Sequence, residues 1–170
     1  MQIHLDALGG VAGDMVVAAL LDAFPEHEAG VARSVRAALA EAAPDAAGSV
    51  ACTLSAHSDG ILTGRRFAVT RDGRPAEENG HDHGHGHHHH HGHHHHHAHR
   101  HWAEIRDGLR RADLAPEVAR HALAIFGHLA EAEGRVHGIP VEQVAFHEVG
   151  AWDSIADIVA TAHCVAALGA

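Results

Sequence analysis

Apolar positions along the chain switch between helical and strand-like spacing, and the switches outline its elements. Residues 3–5 read as a short strand running into a glycine-rich turn, Gly9-Gly10-Val11-Ala12-Gly13-Asp14. An apolar helix is predicted over 15–24 and stopped by Pro25, which makes a strand–turn–helix unit. A second helix is predicted over 31–43, with Pro44 beyond it. Two alternating runs, 50–56 and 64–70, joined through Ser58-Asp59-Gly60, predict a hairpin. The pattern lapses from 71 to 80.

The second half is helical in spacing. One helix is predicted over 102–112. Pro116 suits the first turn of the next, which runs to 136 and ends at Gly138. Within it Val118, Ala122, Ile125, Leu129, Ala132 and Val136 recur at spacings of four and three, predicting one apolar face. A short turn is expected over 140–144, and a last helix over 152–168 with Gly169 as its stop. The predicted fold class is α+β. A small βα-plus-hairpin lobe (1–79) is followed by a His-rich, metal-binding and disordered linker (80–101), then by a helical lobe (102–170).

Composition sharpens this picture. The 170 residues are 46% hydrophobic but only 4% aromatic, so the core is built from small side chains on closely packed helices. The formal charge of −10, with no basic stripe, argues against a nucleic-acid partner. Arg65 with Arg66, and Arg110 with Arg111, read as solvated pairs. Cys52 and Cys164 form no C-x-x-C and imply reduced thiols. The N-terminus has no signal-peptide pattern, and no apolar run reaches the ~18 residues of a membrane span. A soluble, cytoplasmic protein without a membrane partner is expected. A homo-oligomer is compatible with the sequence.

The charge count treats His as neutral, and His is where the chemistry concentrates. Fifteen of the 23 histidines fall within 81–101: His81, His83, His85, His87, His88, His89, His90, His91, His93, His94, His95, His96, His97, His99 and His101. A core gains nothing from so many polar rings. Neutral imidazole is the commonest protein metal ligand. Nitrogen ligation favours Ni, Cu, Zn and Co over Mg or Ca, and Gly84, Gly86 and Gly92 loosen the backbone. The tract reads as a flexible metal reservoir. A solvated linker that binds metal incidentally is the plainer reading.

Other residues suit a defined site. Glu133 and His137 lie one helical turn apart near the apolar face, able to present an oxygen and a nitrogen to one ion, or to snorkel to water. His147 and Glu148 precede Gly150 and the last helix, where Asp153 and Asp157 again lie one turn apart. These four suit a hard or borderline cation. Alternatively the carboxylates orient imidazoles, or are the wet face of a packed helix. His163 reads as a core histidine, and His121 and His128 as surface. The turn Gly9, Gly10, Gly13 and Asp14 offers backbone N–H groups to an anion, but it lacks the Lys and Ser/Thr of a phosphate-binding Walker loop.

These segments together resemble the LarC nickel insertion protein family. The opening Leu5-Asp6-Ala7-Leu8-Gly9-Gly10-Val11-Ala12-Gly13-Asp14-Met15 carries the resemblance, with Ala18-Ala19-Leu20-Leu21-Asp22. So do Ala130-Glu131-Ala132-Glu133, Val136-His137-Gly138 and, most specifically, Phe146-His147-Glu148-Val149-Gly150-Ala151 with Asp153-Ser154-Ile155 and Asp157-Ile158-Val159. The resemblance implies insertion of Ni2+ into a pyridinium mononucleotide with two sulfur-bearing arms, forming two metal–sulfur bonds and one metal–carbon bond. It also implies cleavage of CTP to CMP and pyrophosphate, with Mn2+ or Mg2+ at the nucleotide. The family pattern places another His where this chain has Ala145. Family proteins also continue into a C-terminal domain that carries the CTP site. The chain is therefore expected to be the N-terminal part of a nickel insertase, with a separately encoded C-terminal domain as partner. On this reading His147 or Glu148 is the catalytic base, and the Gly9–Asp14 turn holds the phosphate-bearing substrate. The competing expectation is a non-catalytic nickel or zinc store acting through the tract.

Overall fold

The computed structural model describes residues 1–6, 10–75, 100–146 and 151–170. Five helices and two small antiparallel sheets make an α+β fold among these residues. Helix α1 (Gly13–Ala23) leads through a 3-10 turn at Pro25–His27 into α2 (Glu28–Ala42). Strands β1 (Val50–Ser58) and β2 (Thr63–Arg71) form the hairpin, and β3 (Arg74–Pro75) adds to its β2 edge. Strand β4 (Arg100–His101) precedes α3 (Trp102–Arg111) and α4 (Pro116–His137). A 3-10 turn at Val141–Gln143 and strand β5 (Ala145–Phe146) lead towards α5 (Trp152–Leu168). The expected disordered linker lies, but for Arg100 and His101 at its end, outside the described residues.

Helix α5 is the hub. It packs against α1, α2 and α4 and touches β2. Ile155, Ala156, Val159, Ala160, Ala162 and Cys164 are buried on it, and a single apolar cluster joins them to Val17, Leu21, Val35, Leu39, Ile105 and Phe126. Residues from before and after the His tract thus share one core. Small side chains allow close crossing. On α3, a Cβ at Gly108 would meet the Ala42 Cα at 2.7 Å. Three of the six aromatics meet in the core: Trp102 stacks on Phe126 (6.3 Å between centroids), and Phe126 lies tilted against Phe146 (6.0 Å).

Several elements differ from expectation for identifiable reasons. Residues 3–5 form no strand; the Met1 amino group instead donates to the Gly169 carbonyl at 3.2 Å, holding the N-terminal segment at the end of α5. Helix α2 begins earlier than predicted, since Pro25 starts a 3-10 turn that runs directly into it. The buried face of α4 is Val118, Ala122, Phe126, Ala130 and Gly134, a strict four-residue row, and Val136 is 80% exposed. A row of i, i+4 positions follows the ridge that packs into a neighbouring helix, whereas the predicted stripe drifts off it. Gly138 (φ 65°) and Gly169 (φ 61°) end α4 and α5 in the left-handed conformation that glycine favours.

Phe126 is fully buried between two aromatic neighbours. Phe126→Ala should cost about 3–5 kcal/mol of stability, read as a lowered urea midpoint.

Candidate functional site

Helix α1 starts hard against α5. A Cβ at Gly13 would meet the Asp157 Cβ at 2.9 Å and its Oδ2 at 3.2 Å, so a side chain there would push the two helices apart. Neither Ala12 before α1 nor Ala151 before α5 makes a side-chain cap, which leaves first-turn N–H groups available to other acceptors. The Asp14 N–H is given to Asp157, and the Asp14 Oδ1 accepts from the Met15 N–H at 2.8 Å. Asp153 lies one turn before Asp157, in the first turn of α5.

Three carboxylates therefore share the junction of two helix N-termini. Burial, and then the charges of Asp14 and Asp153, push the Asp157 carboxyl up to about 7 against the opposing pull of the Asp14 N–H. Among the described residues, the Oδ1 atoms of both Asp153 and Asp157 are shielded from solvent and meet no hydrogen-bond partner. Shielded acceptors without donors are costly, and a cation relieves that cost. Nearby Cys52 is pushed up to about 11, by burial first and by Asp157 next, so it is a neutral thiol.

The remaining predicted residues are spread more widely. Glu133 and His137 do meet, at 3.2 Å, with side chains 40% and 53% exposed at the end of α4. His101 is part of the fold: its side chain accepts the Glu104 N–H, and its own N–H donates to the Glu104 carboxylate at 3.2 Å, capping α3. His163 is the expected core histidine, with Nδ1 2.9 Å from the Ser34 hydroxyl and its ring against Gly30. Residues His81 to His99, Gly9, His147 and Glu148 lie outside the described residues. Among the described residues no three His, Cys, Asp or Glu side chains are grouped so as to hold a metal ion. Among the described residues no helix is long and apolar enough to cross a membrane.

A cleft of about 680 Å³ opens beside the junction, between α1 and the hairpin tip. Asp14, Met15, Ala18, Ala19 and Asp22 form one wall, and His57, Leu62 and Gly64 to Phe67 form the other. Sequence reading missed this wall. Its only trace there was the hairpin itself, whose pairing sets His57 opposite Gly64; nothing local signals that α1 packs on β2.

The family description "Nickel insertion protein" matches residues 3–170. The chain belongs to the nickel insertion protein family. A pyridinium-3,5-bisthiocarboxylic acid mononucleotide nickel insertion protein of Geobacillus kaustophilus is 37% identical over 160 residues, covering 94% of this chain and 34% of the relative. One of the same name from Akkermansia muciniphila is 38% identical over 161 residues, with 94% and 34% covered. A putative nickel insertion protein of Thermomicrobium roseum is 60% identical over 58 residues, 34% of this chain and 14% of its own length. The chain thus spans about a third of the length of the first two relatives. No solved structure matches it.

For this member of the nickel insertion protein family, the junction predicts a pH signature. The Asp157 carboxyl stays protonated in the folded chain up to about 7, but ionises near the ordinary 3.8 once unfolded. Its contribution is present below about 4 and lost as pH rises through about 7. Asp157→Asn should flatten the fall in urea midpoint between pH 5 and pH 8. It should raise stability at pH 8 by about 1–2 kcal/mol after solvent screening.

Proposed function

We propose that this chain carries the nickel-handling part of an insertion reaction, in which Ni2+ passes to a pyridinium-3,5-bisthiocarboxylic acid mononucleotide. The observation that carries the reading is family membership over nearly the whole chain, with two relatives of that printed activity. The junction supplies a physical reason to place the metal there: two shielded, donorless carboxylate oxygens on one helix, with a third acid facing them.

Nickel is cargo here. Asp153 and Asp157 offer it oxygen, and His147 and Glu148, which follow β5 directly in sequence, complete the ligand set. Oxygen-rich ligation of a borderline cation is weaker than thiolate ligation, so transfer to the two sulfur arms runs downhill. The Ni–C bond takes its electron pair from a ring C–H bond, and the proton released goes to Glu148 or His147 as base. Glu133 and His137 form a second oxygen–nitrogen pair on the route. CTP with Mn2+ or Mg2+ acts in the part of the family that lies beyond the matched third, which is this chain's partner in the full reaction.

The His tract is the supply. Arg100, which ends the neighbouring segment, pairs directly with Phe146, after which His147 follows. Arg100 is held by Asp45 and by the Ala42 carbonyl at 3.1 Å, so two residues that adjoin the tract and His147 in sequence, Arg100 and Phe146, are fixed beside each other. A nickel or zinc store is the second reading, favoured by the density of His between 81 and 101.

Nickel transfer to the mononucleotide, with CTP and Mn2+ supplied, separates them. Removal of residues 81–99 should leave the rate at saturating nickel unchanged and slow it at limiting nickel. Asp153→Asn with Asp157→Asn should lower it about 10–100-fold even at saturation. Loss of all transfer on removing the tract, with the double variant unaffected, would favour the store.

A further inference from the structure

Strand β1 is an edge of its three-stranded sheet, and among the described residues nothing pairs with its outer side. Which backbone groups face outward follows from the register. The Asp72 N–H donates to the Ser49 carbonyl at 2.9 Å, one step beyond the Val50–Arg71 pair. Antiparallel bonds join every second opposed pair, so Ala51, Thr53, Ser55 and His57 bond to β2. The N–H and C=O groups of Val50, Cys52, Leu54 and Ala56 therefore point to the open side, where no described group meets them. Protein sheets blunt their edges with Lys, Pro, a bulge or a very short strand. Strand β1 has none of these: it runs for 9 residues without Lys, Arg or Pro, in unbroken register with β2. By contrast, β2 carries Arg65, Arg66 and Arg71, and β3 covers one end of its outer edge.

Helix α2 runs beside β1 in the opposite direction. Two hollows, of about 360 and 150 Å³, lie between them. Glu28 and Leu54 border the first, Arg36 and Val50 the second, and Ala32 and Cys52 border both. Val50, Cys52 and Leu54 are partly buried and pack against the core, so they share the inner face of the sheet. Glu28 and Arg36 are exposed, one helical turn either side of Ala32. Neither has an ion pair among the described residues.

We propose that the open edge of β1 pairs antiparallel with β1 of a second copy of this chain, about a two-fold axis at Cys52. The parity of the edge permits it. Cys52 faces Cys52 of the second copy and Val50 faces its Leu54, so outward groups meet outward groups and about six backbone hydrogen bonds form. A two-fold axis normal to the sheet keeps both inner faces on one side. Val50, Cys52 and Leu54 then continue as one apolar face across the join, and the hollows beside α2 give the incoming side chains room. Strand β1 contains no Asp, Glu, Lys or Arg, so pairing it with itself opposes no like charges from those residues. The same axis turns Glu28 of each copy towards Arg36 of the other. An acidic or a basic peptide would match one end of this groove and be repelled at the other, whereas a second copy, reversed in direction, matches both. The pairing does not draw on the nickel reading.

Sedimentation equilibrium of the full chain at low salt, with amide hydrogen exchange followed across a dilution series, tests this. The parent chain should form a dimer that dissociates on dilution, its Val50, Cys52 and Leu54 amides protected only in the dimer. Glu28→Arg and Arg36→Glu should each weaken the dimer about 10-fold, and the two changes together should restore it. Both side chains are exposed, and an unchanged circular dichroism spectrum checks that the variants stay folded. A chain that is monomeric at the highest concentration reached would overturn the pairing. So would charge variants that dimerise like the parent, or a dimer whose three amides exchange as fast as in the monomer. A monomer with those amides already protected would also overturn it, and would assign the edge to another segment of the same chain.

Discussion

The close approach of α1 to α5 at Gly13 is the constraint on which the site depends. Helix α5 has neighbours on three sides, and the carbon chain of Asp157 fills the space that a side chain at Gly13 would need. That contact brings the start of α1 within reach of the Asp157 carboxylate, sets Asp14 opposite it, and holds two acid oxygens out of solvent with no donor among the described residues. The packing of small residues that stabilises the hub is thus the same packing that builds an unsatisfied, electronegative spot. Such a spot costs stability, and a protein that carries cations has a use for it.

Around that spot the charges are laid out in order. Carboxylates gather where two helices begin, and the exposed Arg65 and Arg66 lie on β2 of the hairpin. The His tract returns to the fold at Arg100, which is pinned to the end of α2 and paired with Phe146. Phe146 in turn packs against Phe126, which stacks on Trp102. Arg100 and Phe146, which adjoin the His tract and His147 in sequence, are thereby tied to one aromatic cluster.

Local signals were legible where one residue decides the backbone. Gly138, Gly169 and Pro116 marked helix ends that the structure places as expected. The Ser58-Asp59-Gly60 turn marked the hairpin: Asp59 Oδ1 accepts the N–H groups of Ile61 and Leu62 at 2.8 and 2.7 Å, and Gly60 takes φ +89°. What depends on partners was not legible. The face of α4 follows the ridge that meets its neighbours, so Val136 turned outward and Gly134 inward. The pairing of Asp153 and Asp157 on one helix could be read from spacing, but not their meeting with Asp14 across 140 residues of chain. Arg65 and Arg66, read as a solvated pair, are exposed on β2; the packing of α1 beside that strand was not legible, because α1 is far away in sequence. The motif residues His147 and Glu148 were recognised through family resemblance, and spacing alone left their role open.

The central claim is that nickel pauses on carboxylates at the α1–α5 junction before it reaches sulfur. X-ray absorption at the nickel edge, on the chain lacking residues 81–99 and given one equivalent of Ni2+, tests it most directly. The account predicts a bound ion with a shell rich in oxygen that loses an oxygen neighbour in Asp157→Asn. An imidazole-only shell that the substitution leaves unchanged, or no bound nickel at all, would contradict it.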